Sequence, residues 1–430
     1  MNQLVIQLAR MGDVLQTKRL LLSLAAEGDV HLLVDNSLVS FASHIYPFAN
    51  VHGITAHASR IATSELLGYL LPQLAELRTH NFQTVYNLNF SGLNLALSTL
   101  WKPEILRGHW LDRGQAFKSS WLNLAFRFSG GADKRRTSPL NLMDLWGLLA
   151  NNPIAPCLVN PAASFRKNKD GQKGALGVML AGRMARRSIP PEFLAKCIAA
   201  VCQRMGGAEI FLFGTKQEAA AAKEVMRSLP ANLLSQSQNL AGQTSLLELS
   251  DHISKLNILL TPDTGGMHLA AHHGVPVEAF FLSSAWAYET GPYGEGHRVW
   301  QAVQPCLPCL ESQPCPYEVK CLKAFKESSF LKMLFKPESM KQPPEGLIGL
   351  DSGVDELGVT YNSITANDLG ATFNEAENKR HTALRQLLKE YSFGKLAEGM
   401  AERSDIPVGE ASILYEQVFR ESDWMLPPLD

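Results

Sequence analysis

Residues 257–276 read NILLTPDTGGMHLAAHHGVP. The apolar run Asn257–Leu260 predicts a buried strand ending at Thr261. Asp263, Thr264, Gly265 and Gly266 predict a tight turn, and a short helix follows over Met267–His273. The N–H groups at a helix start lack intrahelical partners and carry positive partial charge, so a phosphate docks there readily. Glycines let the backbone approach such a ligand closely. Asp263 and Thr264 could instead cap the helix. Capping leaves His268 unexplained, one turn beyond Thr264 on the same face, and that histidine is read as facing a ligand.

Outward from this stretch the second half alternates. Strands are predicted at Ala175–Leu180, Glu209–Phe213 and Val277–Leu282, and helices at Pro191–Met205, Lys216–Ser228 and Leu246–Lys255. The first half alternates too, with strands at Leu4–Leu8, Val30–Val34 and Thr84–Leu88 and a helix from about Val14 to Glu27. Such series build βαβ units around parallel sheets. Asn151–Gly174, rich in Pro, Asn, Lys and Gly, reads as an interdomain linker. A hinge at 338–345, a small strand pair within Leu347–Ile364 and a mostly helical Ala376–Glu421 are expected beyond it.

The chain has 430 residues, 46% hydrophobic and 19% charged, which suits two or three globular domains and excludes a disordered chain. Its net charge of -1 argues against a nucleic-acid partner. Residues 101–137 hide a local net of +5, eight basic residues against three acidic; they are read as a solvated helix-and-loop surface or an anion-facing one. The start MNQLVIQLARMGD lacks the pattern of a secretory signal, and no run of about 18 apolar residues occurs. A cytoplasmic location is expected, with peripheral contact at the inner membrane left open.

DTGGMHLAAHHGVP, preceded by LAGQTSLLEL at Leu240–Leu249, resembles the nucleotide-sugar site of the heptosyltransferases, glycosyltransferase family 9. LARMGDVLQTKRLLLSL, FGTKQE at Phe213–Glu218 and ETGPYG at Glu289–Gly294 resemble that family in the same order, across about residues 1–325. The resemblance implies an α/β chain of GT-B architecture: two Rossmann-like domains facing across a cleft, plus a mostly helical C-terminal extension. The expected boundaries are 1–155 for the acceptor domain, 171–328 for the donor domain and 329–430 for the extension.

The resemblance implies an inverting sugar transfer with Asp13 as general base. Inversion needs a carboxylate by the acceptor hydroxyl, opposite the leaving nucleotide, to take its proton. A cap for the following helix is the other reading of Asp13. Gly12 is expected to let the backbone turn beneath the acceptor. The charge developing on the leaving diphosphate needs positive partners. The helix start at Thr264, Gly265, Gly266 and Met267 supplies N–H groups. In MARRSIPPE, Arg187 stands where the family places a lysine, and Arg186 offers the same chemistry. Glu218 is placed for a ribose hydroxyl or simply as a first-turn acid. Thr17-Lys18, Leu180-Ala181-Gly182 and the EAFFLSS after Val277 depart from the family pattern, so the sugar need not be heptose.

Four of the seven cysteines, Cys306, Cys309, Cys315 and Cys321, fall within 16 residues as C-x2-C-x5-C-x5-C in the loop 305–322. In a cytoplasmic chain this favours a tetrahedral metal site over disulfides, and zinc and iron both suit four thiolates. A redox-labile or buried apolar loop is the alternative. The autotransporter heptosyltransferases, which the cluster loosely resembles, carry a cysteine-bound iron and assemble into rings, so a homo-oligomer is a further implication. Any metal here is expected to be structural, because no DxD-like pair exists to hold one at the diphosphate and the transfer needs no cofactor. The implied partners are an ADP-heptose-like donor and an acceptor that is a lipopolysaccharide core, another glycan, or a surface or flagellar protein. An epimerase or hydrolase on the same fold and a non-catalytic scaffold are the competing functions.

Overall fold

The computed structural model describes residues 1–56, 63–129, 135–165, 173–180, 185–310, 313–337, 344–364 and 375–392. They form two units, one of residues 1–126 and 142–155, the other of 127–141 and 156 onward.

The first unit is built on six strands: β1 (Asn2–Ile6), β2 (Asp29–Asp35), β3 (Asn50–Ile54), β4 (Thr84–Asn87), β5 (Leu106–Asp112) and β6 (Gln115–Lys118). Their order is β3-β2-β1-β4-β5-β6, parallel as far as β5, with β6 returning antiparallel. β1 and β2 are buried along most of their length, which is why Leu4–Ile6 and Leu32–Val34 read as apolar runs. The helix expected over Val14–Glu27 is divided into Met11–Leu15 and Lys18–Ala25. The basic segment is not a helix-and-loop surface at its start, because β5 and β6 form a hairpin at the sheet edge, with Arg107 and Arg113 exposed.

Residues 142–155 return to the first unit through a buried ion pair. Arg19 Nη1 meets Asp144 Oδ1 at 2.6 Å, with both side chains almost wholly buried. Arg19 Nε also donates to the Ile154 carbonyl at 3.2 Å. Gly147 is required here, since a Cβ would lie 2.5 Å from Arg19 Cδ.

The second unit has eight strands: β7 (Gly174–Met179), β8 (Ala208–Phe213), β9 (Ser237–Asn239), β10 (Ile258–Pro262), β11 (Val277–Phe281), β12 (Arg298–Ala302), β13 (Leu347–Val354) and β14 (Val359–Ser363). The order β14-β13-β12-β11-β10-β7-β8-β9 is parallel from β9 to β12 and antiparallel beyond. The expected boundary at 328 therefore needs correction. The strand pair assigned to the C-terminal extension completes this sheet, because β13 hydrogen-bonds along β12. Residues 127–141, expected in the first domain, also pack with this unit. The helical expectation beyond 376 is met by Glu375–Ser392, and the remainder lies outside the described residues. Most of the linker's Lys- and Gly-rich part and most of the 338–345 hinge lie outside them as well.

Candidate nucleotide-sugar site

β10 runs to Pro262, one residue beyond the expected end, Asp263 and Thr264 make the turn, and the helix Gly265–His272 follows directly. Thr264 is its N-cap residue in an extended conformation (φ −148°, ψ 167°), but its side chain makes no capping bond. Its hydroxyl instead lies 3.1 Å from Thr261 Oγ1. Asp263 does not cap the helix either. Its carboxylate takes Arg187 Nη2 in an ion pair and Thr290 Oγ1 at 3.1 Å. Arg187 Nη2 also donates to the Asp263 carbonyl at 3.0 Å. The capping alternative is thus set aside, and no bond to the Gly265 or Gly266 amide is found among the described residues.

Gly266 has a packing reason as well, since a Cβ would meet Met179 Sδ at 2.7 Å. Met267 is fully buried and His268 is only 6% exposed. The Met267 amide bonds to the Thr264 carbonyl at 3.1 Å, so this residue reaches a ligand through neither group. His268 lies nearly buried in the first turn of the same helix and does not stand out toward solvent.

The two adjacent arginines separate in role. Arg187 holds Asp263, whereas Arg186 turns to the cysteine-rich loop, donating from Nη1 to the Gln313 carbonyl at 2.6 Å and from Nη2 to that of Leu310 at 2.8 Å. Arg186 is therefore a clamp on that loop and not the free cation expected at the diphosphate. Glu218 forms a reciprocal cap with Thr215, its carboxylate accepting from the Thr215 amide. That favours the first-turn reading, although one carboxylate oxygen remains beyond the cap. A Cβ at Gly214 would lie 2.8 Å from Glu218 Oε2, which explains the glycine of FGTKQE.

Glu289, in ETGPYG, was given no role by sequence reasoning. Arg135 grips it with three contacts of 2.6–3.0 Å and also donates to the Ser284 and Cys309 carbonyls. Burial pushes the Glu289 carboxyl up, Arg135 draws it back, and neighbouring Asp263 adds to the rise. Nothing local in the sequence joins Arg135 to Glu289, which lie 154 positions apart.

In the first unit Asp13 is the third residue of the helix Met11–Leu15, which begins just beyond the end of β1. Its Oδ2 accepts from the Arg10 amide at 3.1 Å, closing the helix start from inside. Asp13 is part-exposed, so capping leaves carboxylate surface for other chemistry. Gly12 lies inside the same helical turn, its carbonyl accepting from the Gln16 amide.

The four cysteines are free thiols that act on one another. Burial pushes the Cys321 thiol up to about 11, and Cys309, Cys306 and Cys315 add to the rise. The Val319 amide donates to Cys315 Sγ at 3.4 Å, a bond that also suits a thiolate. The donor set fits a thiophilic metal. Among the described residues, however, the thiols are not gathered to ligand distance; His31, His52 and His80 are.

The second unit is a parallel-dominated α/β unit in which a strand, a turn and a helix start leave amides of the kind that can receive a phosphate. Residues 159–319 match the model of glycosyltransferase family 9 (heptosyltransferase), so the second unit carries a domain of that family. The chain is 35% identical over 75 residues to lipooligosaccharide heptosyltransferase 2 of Haemophilus influenzae, covering 17% of this chain and 22% of that protein. It is 27% identical over 127 residues to its namesake from Campylobacter jejuni, covering 29% and 39%. The matches thus span well under half of those relatives. The structure of E. coli ADP-heptose lps heptosyltransferase II superposes with a TM-score of 0.51 at 16% identity, covering 70% of this chain and 90% of that one. The fold is the GT-B fold of those enzymes.

Proposed function

We propose that the protein is an inverting glycosyltransferase that moves heptose or a related sugar from a nucleoside diphosphate to a lipopolysaccharide-core acceptor. The observation that carries this reading is the uncapped start of the helix Gly265–His272, inside a glycosyltransferase family 9 domain. Its open amides offer the leaving diphosphate fixed dipoles that need no reorganisation during reaction. Arg187 adds charge at the same turn, exchanging part of its bond to Asp263 for a phosphate oxygen. Asp13 is assigned as the base that takes the acceptor proton. The four-cysteine loop is assigned a structural zinc or iron on its donor set alone, outside the chemical step.

Among the described residues no helix is long and apolar enough to cross a membrane. The exposed basic hairpin β5–β6 is the surface proposed to meet an anionic acceptor, including one held at a membrane.

Binding and transfer test the reading separately. A thermal-shift panel of ADP-, UDP- and GDP-sugars should show a rise in Tm with an ADP-sugar. Asp13→Asn should keep that rise and lose transfer by about 10²-fold or more. No shift with any nucleotide sugar overturns the donor assignment, and full transfer by Asp13→Asn overturns the base. Arg187→Ala should lower kcat/KM by about 10²-fold, through the loss of charge at the diphosphate.

A further inference from the structure

We propose that His31, His52 and His80 form a binding site for a divalent transition-metal cation, with zinc as the fitting ion, in the first unit. The three residues come from different elements: β2, β3 and the turn after the helix Thr63–Thr79. Each offers a ring nitrogen, and the three lie within 4.8 Å of one another. His31 Nδ1 and His52 Nε2 are only 2.7 Å apart. Their rings are nearly parallel (8°) with centroids 5.0 Å apart, so they meet nitrogen edge to nitrogen edge. Without an ion the same two nitrogens share a hydrogen bond between neutral rings, which keeps them aimed at one point.

Zinc lies about 2.0–2.1 Å from imidazole nitrogens, and tetrahedral angles then set those nitrogens about 3.4 Å apart. The closest pair must open slightly and the third ring close by no more than about 1.5 Å, a side-chain adjustment on a fixed backbone. Sheet pairing fixes the backbone of the first two, with His31 opposite Asn50 and Leu33 opposite His52, and the His80 amide bonds back to the Leu77 carbonyl at the helix end.

The surroundings favour a cation over three protonated rings. Burial first, and then the neighbouring His52 and His80, hold the His31 ring down to about 4, so it is neutral, the form that ligates metal. Asp29 acts on His31 and Glu76 on His52 in the opposite sense, placing negative charge beside the trio. Phe82 lies edge-on to His31 (5.1 Å) and stacked on His80 (5.6 Å), an apolar wall that limits competing water. Glu76 or a water would supply the fourth ligand. His31 and His80 lie toward the ends where β2 and β4 begin, whereas Asp13 follows the end of β1. The ion would clip β2, β3 and the helix end together and take no part in sugar transfer.

The test uses the full-length protein stripped of metal, then titrated with zinc or with cobalt(II) as a spectroscopic probe. Cobalt at the four-cysteine loop produces thiolate-to-metal charge-transfer absorption, and cobalt at the histidines does not, so the two sites are read separately. Wild type should take up an equivalent of zinc that leaves the thiolate signal unchanged. His80→Asn and His52→Asn should weaken that uptake by at least about tenfold, since loss even of an outer-shell partner costs that much. If a variant misfolds, imidazole nitrogen resonances of wild type answer instead, and zinc should shift those of His31, His52 and His80. Uptake confined to the thiolate signature, equal uptake by the histidine variants, or unmoved imidazole resonances would overturn the site.

Discussion

His297 is wholly buried beside the ETGPYG turn, and neither ring nitrogen has a hydrogen-bond partner among the described residues. Burial holds its imidazole down to about 3, from an ordinary value of 6.5. The sign of the consequence is fixed. Below about pH 6.5 the unfolded chain takes up a proton that the folded chain refuses until about pH 3, so stability falls as pH falls through that window. The slope from this one group approaches about 1.4 kcal/mol per pH unit. His297→Leu should flatten the acid limb of a Tm-against-pH profile over that range; an unchanged limb would show that other groups set it. At this same scale the sequence was only half legible. It marked Arg186 and Arg187 as equivalent, and only their distant partners, the Leu310 and Gln313 carbonyls for one and Asp263 for the other, tell them apart. Arg135 and Glu289 left no trace because their spacing follows no local period.

The strand–turn–helix at 257–276 was legible because three local signals agree there: an apolar run, paired glycines and a helix-forming stretch. β3 escaped because NVHGI is short and half exposed at the sheet edge, with no apolar alternation to betray it. The β5–β6 hairpin escaped because its charges sit on exposed positions and mimic a solvated loop. The Arg19–Asp144 pair was invisible for a different reason, being a contact across 125 positions that fixes where residues 142–155 belong. Removing one partner of a buried pair strands the other charge, which costs about 3–5 kcal/mol. Asp144→Ala should therefore lower the unfolding free energy by that amount in urea titration. Arg19→Met with Asp144→Leu should recover much of the loss, because neither charge is then left buried alone. A double variant no better than the single one would mean that the Arg19 bond to the Ile154 carbonyl carries the stability instead.

Across the whole molecule, the main departure from expectation is the destination of the C-terminal segment. Read as an appendage, it becomes part of the second unit and reaches the turn beside the candidate site. Tyr361, on β14, donates to the Pro292 carbonyl at 3.1 Å, and Gly291 must be glycine because a Cβ would lie 2.3 Å from that hydroxyl. The helix Glu375–Ser392 is pinned in turn by Arg385, which grips Asp355 at 2.7 and 2.9 Å and donates to the Pro139 and Gly358 carbonyls. Burial pushes the Asp355 carboxyl up, but the Arg385 bonds and charge overcome this and hold it at about 2. That contribution is present above about pH 3.8 and is lost only as pH falls through about 2, so it acts fully at neutral pH. Arg135 and Asn141, β14 and the last described helix thus meet around the turn that carries Glu289, itself beside Asp263. Arg385→Ala should loosen that brace, lowering stability by about 2–4 kcal/mol at pH 7. If the brace serves the donor site, the ADP-sugar affinity of the folded fraction should fall as well, by about three- to tenfold. Tyr361→Phe deletes the bond to Pro292 and the longer one from Asn141 Nδ2, at about 1 kcal/mol each at most, and leaves the helix pinned, so it should show the affinity loss with a smaller change in Tm. Lower stability with unchanged affinity in both variants would reduce the C-terminal segment to a structural strap.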